Sequence, residues 1–232
     1  MKKATILERV TTPDGSVLAL AERDGNYMLW VNGRELMSTR HTFSEEQLGV
    51  VGCEPLRNRA GARVLIGGLG LGFTLRAALE NLGPDAEVVV ADLIPQVVEW
   101  NRNPTYPLAS DALADPRTRV VIGDVAHVIA KSVTRFDAIL LDADNETTAM
   151  NTPGNSSLYQ RPGLASIARA LRPAGSVVYW SAGEDPILVK RLRQAHFTVE
   201  TRHVRKHPTA KSVGYHVLVL ARAAGALAQT HG

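Results

Sequence analysis

From Arg63 onward the chain alternates between two textures. Runs in which almost every residue is apolar, "RVLIGG", "EVVVAD", "RVVIGD", "FDAILLD" and "GSVVYWS", are separated by stretches with apolar residues at helical spacing, "LGFTLRAALENL", "IPQVVEWNR", "VAHVIAKS" and "GLASIARALRP". Continuously apolar strands fit a parallel sheet with helices covering both faces. The pattern changes toward the end, with a helix "DPILVKRLRQA", a strand "FTVETRHV", a polar loop and a strand "VGYHVLVLAR". No helix separates those last two strands, so they are expected to pair as an antiparallel hairpin at the sheet edge.

Residues 1–50 read as β structure. "VLALAER", "YMLWVNG" and "RELMST" are short runs broken by Pro13-Asp14-Gly15, Asp24-Gly25-Asn26 and Asn32-Gly33. Asp-Gly and Asn-Gly tolerate positive φ, which makes them hairpin signals. "SEEQLGVVGCEPL" then reads as a short helix capped by Ser44, with Glu46 and Gln47 in its first turn. The division expected is a small N-terminal β-hairpin region with a short helix over 1–52, an α/β domain over 53–223 and a loose tail over 224–232.

A chain of 232 residues with 45% hydrophobic and 21% charged content is long and apolar enough for one substantial core. The net charge of +3 permits anionic ligands, but basic residues are spread along the chain rather than blocked, which gives nucleic acid no footprint. The single cysteine, Cys53, excludes an internal disulfide framework and reads as a small buried residue in a reducing compartment. "MKKATILERVTTPDG" lacks the apolar core of a secretory signal, and no apolar run approaches membrane-spanning length. The expected location is the cytoplasm, with no membrane partner.

Candidate chemistry begins at "VLIGGLGLGFTLRAAL", a strand, a glycine-rich turn and a helix. Gly68, Gly70 and Gly72 let the backbone approach a ligand, and the helix N-terminus behind them favours negative charge. The next strand ends at Asp92, where a carboxylate can accept both hydroxyls of a ribose. A dinucleotide fingerprint wants glycine at position 73, and Phe73 stands there instead. That suits a ligand without a pyrophosphate, such as a nucleoside thioether or sulfonium. Gly123-Asp124 ends the third strand, where the carboxylate can accept from an adenine amino group, cap the following helix, or do both. In "FDAILLDADNETTAM" the fourth strand surfaces at Asp142 and Asp144, both able to face one cavity beyond the sheet edge.

On these residues the sequence resembles the class I AdoMet-dependent transferases, and more narrowly their spermidine-synthase-like branch. The resemblance runs from "LWVNGRELMSTRHTFSEEQLGVVGCEPL" through "LYQRPGLASIARALRPAGSVVYWS". It implies a Rossmann-like methyltransferase fold over 53–223 and S-adenosyl-L-methionine, or its decarboxylated form, as cofactor. It also implies that Gly68, Gly70 and Gly72 line the cofactor. Asp92 with Leu93 would hold the ribose, Asp124 with Val125 would read the adenine, and Asp142 would occupy the catalytic aspartate position. Three departures fall on the acceptor side. Gly70 stands where spermidine synthases carry an amine-holding aspartate, Asn145 stands where they carry a second acid, and Leu36 and Glu45 replace a glutamine and a tyrosine that frame the polyamine.

Transfer from a sulfonium is an in-line displacement in which the protein positions the nucleophile and a carboxylate takes its proton. Asp142 and Asp144 are the catalytic candidates. Asn145 to Arg161 is long and polar enough to read as a lid over the acceptor, and Asn145, Tyr159 and Trp180 are candidate substrate contacts. The loop "TRHVRKHPTAK" places Arg202, Arg205, Lys206 and Lys211 at the cofactor rim, which would suit an anionic acceptor. His203 and His207 are four apart in that loop, but Pro208 and the lack of a nearby carboxylate partner argue against a metal. Three functions remain open: methyl transfer to a small molecule, aminopropyl transfer to a polyamine, and non-catalytic nucleoside binding. "DADN" lacks the proline-aromatic pair that clamps a flipped base, so nucleic acid is not an expected substrate. Exposed β edges at the N-terminus allow a homodimer.

Overall fold

The computed structural model describes residues 3–142, 157–205 and 215–223. Four N-terminal strands, β1 (Thr5–Thr11), β2 (Val17–Arg23), β3 (Asn26–Val31) and β4 (Arg34–Ser38), form an antiparallel sheet in sequence order. Two-residue loops join β2 to β3 and β3 to β4. Asp24-Gly25 and Asn32-Gly33 have positive φ at both residues, the twist that suits a tight hairpin. β1 was not singled out by the sequence pattern. Glu8 and Arg9 interrupt its alternation, and as an outer strand it is mostly exposed.

Helix α1 (Phe43–Cys53) follows, continued by a 3-10 turn over Glu54–Leu56. Its N-cap is Thr42, one residue outside the helix, rather than Ser44. The Ser44 side chain is buried within the first turn and bonds to Glu45. Cys53 is fully buried, and desolvation pushes its thiol up to about 12, the behaviour of an inert core residue.

The second sheet has seven strands: β5 (Arg63–Gly67), β6 (Glu87–Asp92), β7 (Thr118–Ile122), β8 (Phe136–Leu141), β9 (Leu171–Ser181), β10 (Phe197–Arg205) and β11 (Tyr215–Ala223). Their spatial order is β10-β11-β9-β8-β5-β6-β7. Every pair from β9 to β7 is parallel, whereas β11 runs antiparallel to both β9 and β10. The expected terminal hairpin is present. β10 takes the outer place, and β11 fills the gap between it and β9.

Around the sheet lie α2 (Phe73–Glu80), α3 (Pro95–Arg102), α4 (Ser110–Ala114), α5 (Val125–Ala130), α6 (Arg161–Ala170) and α7 (Pro186–Gln194). The five-residue α4 carries too few apolar residues to show a period. Alternate strand residues feed two separate cores. Val64, Ile66, Ala138 and Leu140 join α1, α2, α3 and the N-terminal sheet on one face. Leu65, Ile139 and Leu141 join α5, α6 and α7 on the other. Covered on both faces, the strands must be apolar at every position, which is why they read as unbroken runs. Among the described residues no helix is long and apolar enough to cross a membrane.

α1 lies close along α2. A Cβ on Gly49 would stand 2.7 Å from the Thr74 carbonyl oxygen and 2.7 Å from the Ala77 Cβ, so only glycine permits this approach. At the opposite end of the sheet from the glycine turn, Asp137 is buried at the start of β8. It accepts from Arg172 Nη1 at 2.8 Å, the Arg63 backbone N–H at 2.8 Å and Arg59 Nε at 2.8 Å. Asp137→Ala breaks this cluster and is expected to cost about 2–4 kcal/mol of unfolding free energy in urea. A loss under about 1 kcal/mol would show that the cluster does not hold the base of the sheet.

Candidate active site

The chain leaves β5 to wind outward through β6 and β7, then returns to lay β8 on the other side of β5. In open α/β sheets ligands bind at this reversal, beyond the carboxyl ends of the strands. The turn Gly68-Leu69-Gly70-Leu71-Gly72 lies there, with φ of +92°, +54° and +82° at its three glycines. Side chains rarely adopt such angles, so the glycines are required by the backbone path. Gly68 donates to the Ala91 carbonyl at 2.9 Å. Among the described residues an added Cβ there would meet the Asp142 carbonyl oxygen alone, at 3.7 Å.

Asp92 ties the turn to the end of β6. Its Oδ2 accepts from Leu69 N–H and its Oδ1 from Ile94 N–H, each at 2.8 Å. Burial pushes its carboxyl above the ordinary range, and these backbone donors pull the other way. Asn101 adds a second tie: its Nδ2 donates to the carbonyls of Gly70 and Val97, both at 2.8 Å. On the far side, Met37 of β4 packs its thioether against Gly70, within 2.8 Å of where a Cβ would stand. Leu93 is half-buried against the same core.

At the end of the neighbouring β7, Gly123 donates to the Asp92 carbonyl at 2.8 Å. Asp124 caps α5 through Oδ1, accepting from Ala126 N–H at 2.8 Å, and Oδ2 takes no bond from the described residues. Val125 behind it is buried against Gly67. Asp142 directly follows β8, with its N–H 3.4 Å from the Gly67 carbonyl. The glycine turn, Asp92, Asp124 and Asp142 thus meet at one sheet edge. Asp144, Asn145 and the lid stretch up to residue 156 lie outside the described residues, as do Lys206, His207 and Lys211.

The remaining described candidates lie ahead of α6 and along β9 and β10, and Trp180, next to the Tyr179 that pairs with Leu141, stands level with Asp142. Tyr159 is buried on the α6–α7 side, 5.2 Å from the Tyr179 ring, and its carbonyl accepts from Arg191. Trp180 lies on the α1 side beside His216, with its indole N–H buried and unbonded among the described residues. Arg202 is ion-paired with Glu200 at 2.6 Å, so its charge is not free to attract an anion. Arg205 is exposed at the end of β10. His203 does have a carboxylate partner, contrary to expectation: Glu184 Oε1 lies 2.5 Å from its Nε2, brought there by the loop before α7.

No family model matches the chain. Over 196 residues, 81% of its length, it is 30% identical to the polyamine aminopropyltransferase of Mycobacterium tuberculosis. In sequence the chain is similar to the polyamine aminopropyltransferases. It is also 33% identical over 117 residues, 50% of its length, to putrescine N-methyltransferase 3 of Nicotiana tabacum. It spans about a third of these relatives' lengths, 36% of the first and 29% of the second. The spermidine synthase of Thermotoga maritima covers 94% of this chain and is matched over 72% of its own chain, with a TM-score of 0.72 and 20% identity. A spermidine synthase complexed with the transition-state analogue AdoDATO matches over the same shares with a TM-score of 0.71 and 20% identity. The fold is spermidine-synthase-like.

Sequence reasoning placed the turn and the three strand-end acids and marked Glu45 as a departure on the acceptor side, but passed over Met37 and Asn101. Glu45 is nine-tenths buried on the face of α1 that carries Gly49 and Gly52. That phase was legible, since 45, 49 and 52 share one helix face. Desolvation raises its carboxyl above the usual glutamate range, and the Ser44 hydroxyl at 2.5 Å only partly offsets this. A raised native pKa stabilises the fold below the unfolded-state pKa, and the stabilisation is lost as pH rises through the native value. Glu45→Gln should therefore gain melting temperature relative to wild type between pH 4 and pH 8. A pH-independent difference would refute the assignment.

Proposed function

We propose that this chain transfers an alkyl group from the sulfonium of S-adenosylmethionine, or of its decarboxylated form, to an amine of a small aliphatic acceptor. The observation that carries the reading is the convergence of the glycine turn, Asp92, Asp124 and Asp142 at the reversal point of the sheet. Both kinds of relative are transferases whose names specify polyamine or putrescine. The residues fit a nucleoside. Among the described residues Gly68 meets the Asp142 carbonyl oxygen alone on its Cβ side, and Asp124 keeps one oxygen unbonded by them. Asp92 stands at the same edge, with its carboxylate fixed by the N–H groups of Leu69, Gly70 and Ile94.

When bound, the sulfonium supplies an electrophilic carbon with a thioether leaving group. The chain's part is positioning and proton management. Asp92 and Asp124 fix the nucleoside, the turn backbone sets its depth, and Asp142 takes the proton that an attacking amine must shed.

Aminopropyl transfer is favoured by the longer relationship, 81% of the chain against 50%. Methyl transfer is the second reading. It is supported by the position beside Gly70, which is filled by the neutral Met37 thioether, so the turn itself offers no acid to a donor's terminal amine.

Calorimetric titration with each cofactor separates the two. The methyl reading expects S-adenosylmethionine to bind at least tenfold more tightly than the decarboxylated form, and the reverse order establishes the other reading. With putrescine as acceptor, Asp142→Asn is expected to lower kcat on the order of 10²–10⁴-fold, leaving cofactor affinity within about threefold. Unchanged turnover would remove Asp142 from the reaction.

A further inference from the structure

The two sheets have four outer strands, and one of them is built unlike the rest. In the N-terminal sheet, β1 carries a register break between Ile6 and Glu8, and β4 has five residues with another break at Leu29 and Trp30 of β3. In the second sheet, β7 also has five residues. β10 has nine, contains no proline, and pairs with β11 residue for residue from Phe197 to Arg205 without a bulge. Outer strands are normally kept short, bulged or covered, because a long regular edge offers its N–H and C=O groups to another strand. Among the described residues nothing hydrogen-bonds to the backbone of β10 on the side away from β11. The two helices against it cover its faces, α7 over Phe197 and α1 over Val204. Beside Thr201 a groove of about 550 Å³ lies open, lined by Val189, Lys190 and Arg193 of α7.

The charges on this edge are ordered so that they complement their own copy. Glu200 and Arg202 stand two residues apart on one face of the strand, with Arg202 Nε 2.6 Å from Glu200 Oε1 and both side chains half-exposed. Two identical antiparallel strands pair with their two-fold axis on a residue, because facing residues must both direct their backbone groups across the seam or both away from it. An axis on Thr201, the midpoint of β10, lets all nine residues pair. It sets Glu200 opposite the partner's Arg202 and Arg202 opposite the partner's Glu200. An axis on Glu200 or on Arg202 would set that charge opposite its own copy, which is repulsive. The register with the greatest overlap is therefore the one in which the four charges alternate in sign.

We infer that two copies of this chain join through β10, edge to edge and antiparallel about Thr201, into one continuous sheet. β10 runs parallel to β9, because β11 is antiparallel to both. The two-fold axis therefore turns the partner's site edge to the opposite side, and the two candidate active sites open in opposite directions. The pairing stands or falls separately from the reaction proposed above.

Sedimentation velocity of the full chain at micromolar concentrations is expected to show a monomer–dimer equilibrium. Glu200→Arg turns both cross-strand attractions into repulsions and should weaken the dimer at least about tenfold. Glu200→Arg combined with Arg202→Glu in the same chain restores the alternation and should return the dissociation constant to within about threefold of wild type. Thr201→Cys places two thiols across the axis at a separation a disulfide can span, so mild oxidation should give a covalent dimer. Thr198→Cys, about 20 Å from its copy in this register, should not cross-link. The cysteine pair decides the matter if the charge variants do not fold. A wild type that stays monomeric, a dimer that Glu200→Arg leaves within twofold, or equal cross-linking from positions 198 and 201 overturns the inference.

Discussion

At the end of β6 the Asp92 carboxylate spans two chain segments, one oxygen on the Leu69 N–H and the other on the Ile94 N–H. The turn it holds contains three glycines in left-handed conformations, a stretch with large conformational freedom in the unfolded chain. Fixing it takes several ties, and Asp92 is the one that links the turn to the strand carrying the next site acid's neighbour. Gly123 bonds to the Asp92 carbonyl, Gly68 bonds to Ala91, and Asn101 draws in the Gly70 carbonyl. The ends of β5, β6 and β7 are thereby locked into one rim, and Asp142 joins it through its N–H to Gly67. Burial works against the Asp92 charge, and the backbone donors offset that cost where a bare carboxylate would protonate.

The three buried acids mark out the molecule's division of labour. Asp137, at the far end of the sheet, is saturated by Arg59, Arg172 and a backbone N–H, and it belongs to the frame. Asp92 is saturated by the frame but stands at the ligand edge. Glu45 is buried on a helix held by the Gly49 contact against the helix that follows the turn, and the Ser44 hydroxyl and its own backbone N–H bond its carboxylate.

The two kinds of relative share their acceptor class by name and differ in the group transferred. The features bearing on that difference cluster around Gly70. A neutral thioether from the N-terminal sheet fills the space beside it, so the first sheet reaches the edge that carries the glycine turn. Tyr106, whose ring lies 6.0 Å from that of Tyr27, also reaches Glu8 of β1 from the loop after α3.

Much of this was legible in the linear chain, because the signals were local. Val64-Leu65-Ile66 and Ala138 to Leu141 read as buried strands, and Asp24-Gly25 and Asn32-Gly33 as tight turns. Gly68, Gly70, Gly72, Asp92, Asp124 and Asp142 fall at strand ends where short-range pattern fixes position. What escaped depended on distant partners. β1 is a strand through its pairing with β2, not through its own alternation. Ser44 lost the cap to Thr42 because the helix begins two residues earlier. Arg202 read as a free rim cation and His203 as a residue without a nearby carboxylate until the fold brought Glu200 and Glu184 beside them. Glu45 became a buried carboxylate only when α1 settled along α2. Sequence by itself determined the order of strands and helices and which strand ends carry acids, since these follow from periodicity and turn chemistry. Tertiary structure alone decided which charges are neutralised and which are buried, because pairing and desolvation are properties of neighbours in space.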